Sequence, residues 1–206
     1  MEDQNHYRED IRAIREIMQR STRFISLSGL SGIVAGLVAL IAAFLAWRID
    51  PDLFRSIPLP AVGTSPAALG QLVALSIATL LIAISGAFVF TLRSARKNRE
   101  YIWNVHFRQL LVQLAIPLLT GGVICLYLAF AGLINLVPPM MLIFYGLALI
   151  GASKYTLKDI FGLGVLEIGL GLTGLFLPAY GLWLWATGFG LFHIVYGIRM
   201  YINYGA

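Results

Sequence analysis

The sequence predicts an all-α membrane protein, a polytopic bundle of six transmembrane helices with an amphipathic helix at its N-terminus. Of its 206 residues, 59% are hydrophobic and 12% are charged, and the mean hydropathy is +0.82. Globular domains average about 45–50% apolar and about 25% charged residues. The apolar residues fall in blocks separated by charges, and six of these blocks approach the roughly 20 residues that a helix needs to cross a bilayer.

The apolar blocks set the predicted membrane spans. The six predicted spans cover residues 24–47, 69–92, 110–131, a shorter one from Pro138-Pro139 to 153, 160–177 and 181–201. They leave roughly 80 residues for all other segments, too few for a separate soluble domain of ordinary size. The predicted organisation is therefore an amphipathic juxtamembrane helix over 1–23 and one transmembrane domain over 24–206.

The distribution of lysine and arginine predicts the orientation. When segments are assigned alternately to the two sides, 13 of these residues fall on one side and 2 on the other. Loops on the cytoplasmic side carry an excess of Lys and Arg. The sequence therefore predicts a membrane protein with both termini in the cytoplasm.

The N-terminal segment is amphipathic. Its apolar residues Tyr7, Ile11, Ile14 and Met18 follow a helical spacing. Two interpretations remain open: a helix lying on the cytoplasmic membrane surface, or a two-heptad dimerisation contact.

Basic residues also cluster in the second loop. The residues expected to meet anionic lipid heads are Arg93, Arg96, Lys97 and Arg99. Because this segment lies between two predicted spans, lipid contact explains its mixture of basic and aromatic residues better than nucleic acid does.

Most catalytic and metal-binding patterns are missing from the sequence. It contains no phosphate-binding Walker loop, no zinc-binding HExxH, no nucleophile elbow and too few acidic residues for a metal cage. Cys125 is the single cysteine, so an internal disulfide or a cysteine-based zinc site cannot form. We therefore predict no catalytic residues, metal or cofactor. Haem ligation by His193 and His106 is conceivable, but their different depths disfavour it.

Within the predicted spans, Glu167 is the only acidic residue and His193 is the only histidine. The segments GLGVLEIGLG and GFGLFHIVYG place the two residues in the same pattern, 26 residues apart. If the last hairpin turns near Ala179, the two side chains differ in depth by only ~3 Å at 1.5 Å per residue. The pair is either a proton-binding site or a structural hydrogen bond that locks the hairpin, unless the two side chains fail to meet.

Small residues at helical spacing predict close helix packing, either within the chain or across a dimer. The predicted packing residues are Ser28, Gly32, Gly36, Gly164, Gly171, Gly174, Gly190 and Gly197. An aromatic belt at the membrane surface is predicted from Trp47, Tyr180, Trp183 and Trp185.

The last hairpin resembles those of HdeD-like acid-resistance membrane proteins, in which glycine-punctuated helices flank a turn that contains proline. The matching residues are Gly164, Ile168, Gly171, Pro178, Gly190, Ile194 and Gly197, with a partial match at Gly146 and Ile150. The segments EDIRAIREIMQRSTRFISLSGLSG and MLIFYGLALIGASKYT also resemble an uncharacterised family of small bacterial six-span membrane proteins. The first resemblance implies an envelope-stress role without catalysis.

Two functions follow as expectations. The first is a non-enzymatic inner-membrane protein that self-associates and has a structural, sensory or envelope-stress role. The alternative is a small proton-linked transporter or channel that uses Glu167 and His193. A membrane enzyme is the least favoured class, because the sequence shows no nucleophile or metal set.

Overall fold

A computed structural model describes residues 29–51, 65–97, 105–157 and 159–204 of the chain. Within these ranges the structure is helical and contains no strand. Its elements are α1 (Gly29–Ile49), α2 (Pro66–Lys97), α3 (Val105–Phe130), α4 (Val137–Ala152), α5 (Asp159–Phe176), α6 (Gly181–Trp185), a π-helix (Ala186–Phe192) and α7 (His193–Tyr204). Short 3-10 turns at Ile134–Leu136 and Pro178–Tyr180 precede α4 and α6.

Six helical segments in these ranges are long and apolar enough to cross a membrane. They correspond to α1, α2, α3, α4, α5 and the continuous segment 181–204, which we call the last helix. The predicted all-helical class and the count of six apolar helices are confirmed. The predicted N-terminal helix over 1–23 and the packing residue Ser28 lie outside the described residues, as does Arg99.

The helix ends follow from local sequence. Pro138 and Pro139 occupy the first turn of α4, where the missing N–H groups of proline cost no intrahelical hydrogen bond. Gly132 ends the α3 region with a φ of 77°, a conformation that suits glycine. The Pro178 turn then connects α5 directly to the last helix, so these two helices are antiparallel neighbours.

Helices α4 and α5 pack closely through glycine. A methyl group on Gly146 would lie 2.6 Å from the carbonyl oxygen of Gly164 and 2.7 Å from Cγ1 of Ile168. The contact is reciprocal, since a methyl group on Gly164 would lie 2.8 Å from the Gly146 carbonyl oxygen and 2.9 Å from Cγ1 of Ile150. Each glycine thus meets a glycine of the partner helix and the isoleucine one turn further along it, which lets the backbones approach closely.

Helix α1 and the last helix pack in the same way. A methyl group on Gly36 would lie 2.6 Å from both the Gly190 carbonyl oxygen and Cγ1 of Ile194. In return, Gly190 contacts the side chain of Leu40. The pattern of glycine against glycine, with an aliphatic residue one turn later, is therefore repeated in a second antiparallel pair.

Helices α2 and α3 lie on the outside of these pairs. Helix α2 packs on α1, and α3 packs on α4. Helix α2 presents large apolar side chains to its surroundings; they include Ile77, Leu80, Leu81, Ile82, Ile84, Phe88 and Val89. The described bundle therefore has a central group of four helices and two flanking ones.

Candidate functional site

Glu167 and His193 meet in the middle of the bundle. Glu167 lies in the centre of α5 and has 0% of its surface exposed, and His193 is the first residue of α7 with 7% exposed. Oε1 of Glu167 lies 3.4 Å from Nδ1 of His193. The structure thus brings together the two ionisable residues that the sequence singled out.

Both ring nitrogens of His193 have nearer partners than Glu167. Nδ1 lies 3.0 Å from the carbonyl oxygen of Gly188, and Nε2 lies 2.7 Å from the hydroxyl of Tyr145. A carbonyl oxygen only accepts, so Nδ1 carries a hydrogen and donates it to Gly188. In the neutral ring, Nε2 then accepts a hydrogen bond from the Tyr145 hydroxyl.

The π-helix places the Gly188 carbonyl beside the imidazole ring. It spans Ala186–Phe192 and ends at His193, whose backbone N–H bonds to the Gly190 carbonyl oxygen. Single π-helical turns within α-helices occur frequently at functional sites. No sequence pattern indicated this turn or the hydrogen bond between Gly188 and the ring.

Gly188 also makes room for the Glu167 carboxyl group. A side chain at position 188 would overlap Oε2 of Glu167 and lie 2.6 Å from Cδ2 of Leu142. Only glycine therefore leaves the carboxyl group its present position.

The Glu167 carboxyl group lacks good hydrogen bonds. Neither of its oxygens has a hydrogen-bond partner among the described residues. The imidazole Nδ1–H points to Gly188, so its 3.4 Å approach to Oε1 is an electrostatic contact and not a well-formed hydrogen bond. Buried polar groups are normally paired, and a group that is not paired calls for a specific explanation.

Aromatic side chains enclose the centre. Phe189 lies parallel to His193 with ring centroids 5.8 Å apart, and Tyr145 and Trp185 both pack against Phe189. Tyr145 was not predicted from the sequence, because it lies on α4, outside the repeated pattern. The belt assignment of Trp185 is wrong: Trp185 is buried in the apolar core, whereas Trp183 and Tyr180 are exposed.

The predicted small residues within the described ranges lie at helix contacts. A methyl group on Gly197 would lie 2.7 Å from the Gly29 carbonyl oxygen, and one on Gly171 would lie 2.8 Å from the Pro139 carbonyl oxygen. Gly32 faces the backbone of the last helix, and Gly174 faces Pro139 and Leu184. These glycines hold together the helices that carry the centre.

No group of three histidine, cysteine, aspartate or glutamate side chains that could hold a metal ion occurs in the part of the chain that the structure describes. Comparison with protein-family models, with curated proteins and with solved structures finds no match to this chain. Its function must therefore be inferred from the geometry of Glu167, His193 and Tyr145.

Proposed function

We propose that this chain is a non-enzymatic integral protein of the bacterial cytoplasmic membrane with a sensory role, in which Glu167 binds a proton reversibly. The observation that carries the proposal is the carboxyl group at the centre of the bundle, with no exposed surface and no hydrogen-bond partner for either oxygen among the described residues. An envelope-stress role agrees with such a centre, because acid or alkali at the membrane would change the fraction of Glu167 carboxyl groups that carry a proton.

Membrane insertion is supported by the apolar outer surface. Soluble monomers rarely expose continuous apolar patches larger than a few hundred Å². Here α2 carries at least seven large apolar side chains that are exposed in the monomer. In a bilayer these side chains meet lipid tails, which removes the cost of exposing them to water.

Proton binding and helix packing depend on each other at this centre. An ionised carboxylate without hydrogen bonds in apolar surroundings costs several kcal/mol. The neutral acid avoids most of that cost. Any rearrangement that brings water or a donor to Glu167 therefore favours its ionised form, and loss of the proton favours such a rearrangement.

A pH titration by infrared spectroscopy tests the proposal. The protein in liposomes is expected to show a protonated carboxyl C=O band that disappears as the pH rises, with matching changes in amide hydrogen exchange. Glu167→Gln is the matched control, because the amide has the same shape as the carboxyl group but does not take up or release a proton during the pH titration. The expected result for this variant is loss of the band and of the pH response while the helix content stays unchanged.

The outcome that contradicts the proposal is equally specific. If the wild-type protein and Glu167→Gln give the same spectra and the same exchange pattern at every pH, Glu167 does not exchange a proton. The pair would then be a structural contact that holds the last hairpin.

The proposed orientation places both chain ends in the cytoplasm. Cysteines introduced before residue 9 and after residue 204, in a Cys125→Ala background, are expected to react with an impermeant maleimide only when it reaches the cytoplasmic face. A cysteine introduced in residues 52–64 is expected to react only from the opposite face. Reaction of the two chain ends from opposite faces would overturn the orientation.

The proposal includes two kinds of partner. Anionic lipid heads are expected at the C-terminal end of α2, where Arg93 and Arg96 are exposed, together with Lys97 and Arg99 beyond them. Self-association is expected through the outer faces of the bundle, for example at Gly122, where a methyl group added to the glycine would have no heavy atom within 4 Å.

A proton-linked transporter is the second candidate. It is favoured by one observation: apolar side chains close the bundle on both sides of the polar centre along the helix axes. A transporter needs a closure at each end of the centre, so that one end can open while the other stays shut. A sensor needs access to the centre from one side only.

A further inference from the structure

We infer that the six helices form two equivalent three-helix units related by an approximate two-fold axis between Glu167 and His193, and that protons reach this centre alternately from its two ends. One unit consists of α1, α2 and the last helix. The other consists of α4, α3 and α5, in the corresponding order. The inference rests on the proton site proposed above. Because it gives that site access from both ends, it favours the second candidate function, a proton-linked transporter.

The first observation is the shared register of the two central helix pairs. Gly146 packs against Gly164 and against Ile168, which lies one turn after Gly164. In the same way, Gly36 packs against Gly190 and against Ile194, one turn after Gly190. Positions in α1 thus correspond to positions 110 residues later, in α4.

The same correspondence holds at a second level of the helices. Gly197 meets the carbonyl oxygen of Gly29 and the backbone of Ile33, and Gly171 meets that of Pro139 and the backbone of Ile143. Pro139 and Ile143 again lie 110 residues after Gly29 and Ile33. The two contacts lie seven residues apart along each helix. The two helix pairs therefore pack in the same register.

The flanking helices provide an independent third observation. Gly86 of α2 faces Val34 of α1, and Gly121 of α3 faces Phe144 of α4. Val34 and Phe144 are separated by the same 110 residues. Helices α2 and α3 therefore dock on equivalent positions of equivalent helices.

The direction of the helices identifies the symmetry operation. Helix α5 and the last helix run antiparallel in the bundle. Each residue of α5 is nevertheless equivalent to the residue 26 positions later in the chain, so equivalent residues follow in the same order along both helices. A rotation of half a turn about an axis perpendicular to the helices has this effect. Glu167 and His193 are equivalent positions under it and contact each other, as residues on a two-fold axis do.

In a membrane such an axis lies in the plane of the bilayer, and the two units have opposite orientations. Many secondary transporters consist of two units related by such an axis, with the site for the coupling ion at their interface near the midplane. The proton-binding centre of this chain lies at the corresponding place.

Two apolar clusters close the centre at its two ends. The turn-side cluster lies towards the Pro178 turn and contains Ala39, Ala42, Ala43, Leu142, Leu182 and Trp185. The terminal-side cluster lies towards the other end of the last hairpin and contains Leu149, Leu157, Ile160, Leu163 and Met200. Ala39 of the turn-side cluster is equivalent to Leu149 of the terminal-side cluster. Ile160 and Leu163 are equivalent to Ala186 and Phe189, which pack against the turn-side cluster. The symmetry therefore relates the two clusters at these positions.

The units differ next to the centre. The last helix forms its π-helix at Ala186–Phe192, whereas the equivalent residues 160–166 of α5 belong to a regular α-helix. This difference places the Gly188 carbonyl on His193, with no counterpart on Glu167. Because the two units have opposite orientations, we expect rocking of one unit against the other to separate one cluster while the other stays packed.

Cysteine accessibility in sealed vesicles tests the alternation. Leu182→Cys reports on the turn-side cluster and Leu163→Cys on the terminal-side cluster, each in a Cys125→Ala background. We expect an impermeant maleimide to label each position from one face only. Cross-linking Gly162→Cys to Tyr196→Cys with a short bifunctional reagent fixes the terminal side, and it is expected to raise labelling at Leu182→Cys severalfold.

The reciprocal experiment fixes the turn side by cross-linking Gly174→Cys to Leu184→Cys, and labelling at Leu163→Cys is then expected to rise. If neither cross-link affects labelling at the opposite end, alternation is overturned. If the carboxyl band of Glu167 still titrates in that case, the proton site itself stands. Absence of the band overturns both proposals.

A measurement on the wild-type protein covers the case in which these cysteine variants do not fold. Amide hydrogen exchange of peptides from the two clusters is followed as the pH is changed. Alternation predicts that exchange rises at one cluster as it falls at the other, and that Glu167→Gln removes this relation. Parallel changes at both clusters would contradict it.

Discussion

Gly164→Ala is expected to lower the free energy of unfolding by ~1–3 kcal/mol, the usual cost of forcing extra volume into a packed interface. The added methyl group would lie 2.8 Å from the Gly146 carbonyl oxygen and 3.1 Å from the Ile150 backbone nitrogen. Backbone atoms cannot rotate away as the end of a side chain can. Helices α4 and α5 would have to separate, and the contact that positions Glu167 would loosen.

Gly169→Ala is the matched control on the same helix. No heavy atom lies within 4 Å of the methyl group that this change adds. Alanine is a better helix former than glycine by roughly 0.5–1 kcal/mol, so the control is expected to be neutral or slightly stabilising. Denaturant titrations of both variants in detergent, followed by tryptophan fluorescence, give the comparison. Equal losses at the two positions would show that the glycine contact has no special role.

The overall fold was predictable because it depends mainly on composition. An apolar block of fixed length forms a helix whatever its neighbours are, since every backbone polar group must be paired within the segment in an apolar medium. The predicted fifth span, 160–177, is observed as Asp159–Phe176. The second span was underestimated, because its helix continues past the apolar block through charged residues to Lys97.

The candidate site was predictable in part, for a different reason. Glu167 and His193 repeat within two similar helices joined by a short turn, so their depths could be calculated from the chain alone. Tyr145 belongs to another helix, and its approach to His193 depends on how α4 packs against the last helix. Spacing within a single helix contains no information about that packing.

The burial of Trp185 escaped prediction for the same reason. Trp183 and Trp185 are two residues apart on one turn, and composition gives them the same tendency to lie at a membrane surface. The structure turns Trp183 outwards with 61% of its surface exposed and buries Trp185, with 9% exposed, beside Phe189. Which face of a helix is covered depends on its partners, and here the partners of the last helix are α4 and α5 as well as α1, from the far end of the sequence.

Glu167→Met is expected to raise the free energy of unfolding by ~1–3 kcal/mol, the penalty that a buried polar group without hydrogen bonds imposes. Methionine has a similar length to glutamate and adapts to irregular space, so it can occupy the room beside Gly188. The change leaves no other group unpaired. His193 keeps its bonds to the Gly188 carbonyl and the Tyr145 hydroxyl, neither of which involves Glu167. The same variant is expected to lose the titrating carboxyl band.

Tyr145→Phe gives the opposite sign at the same centre. It removes the hydroxyl 2.7 Å from Nε2 of His193 and leaves that buried nitrogen without a partner. We expect a loss of about 1–3 kcal/mol, measured by the same titration in detergent. If Glu167 were instead a structural lock, both substitutions would destabilise the protein. A gain at Glu167 combined with a loss at Tyr145 would identify the carboxyl group as one that the fold retains at a cost in stability, and proton binding is the property that explains such a cost.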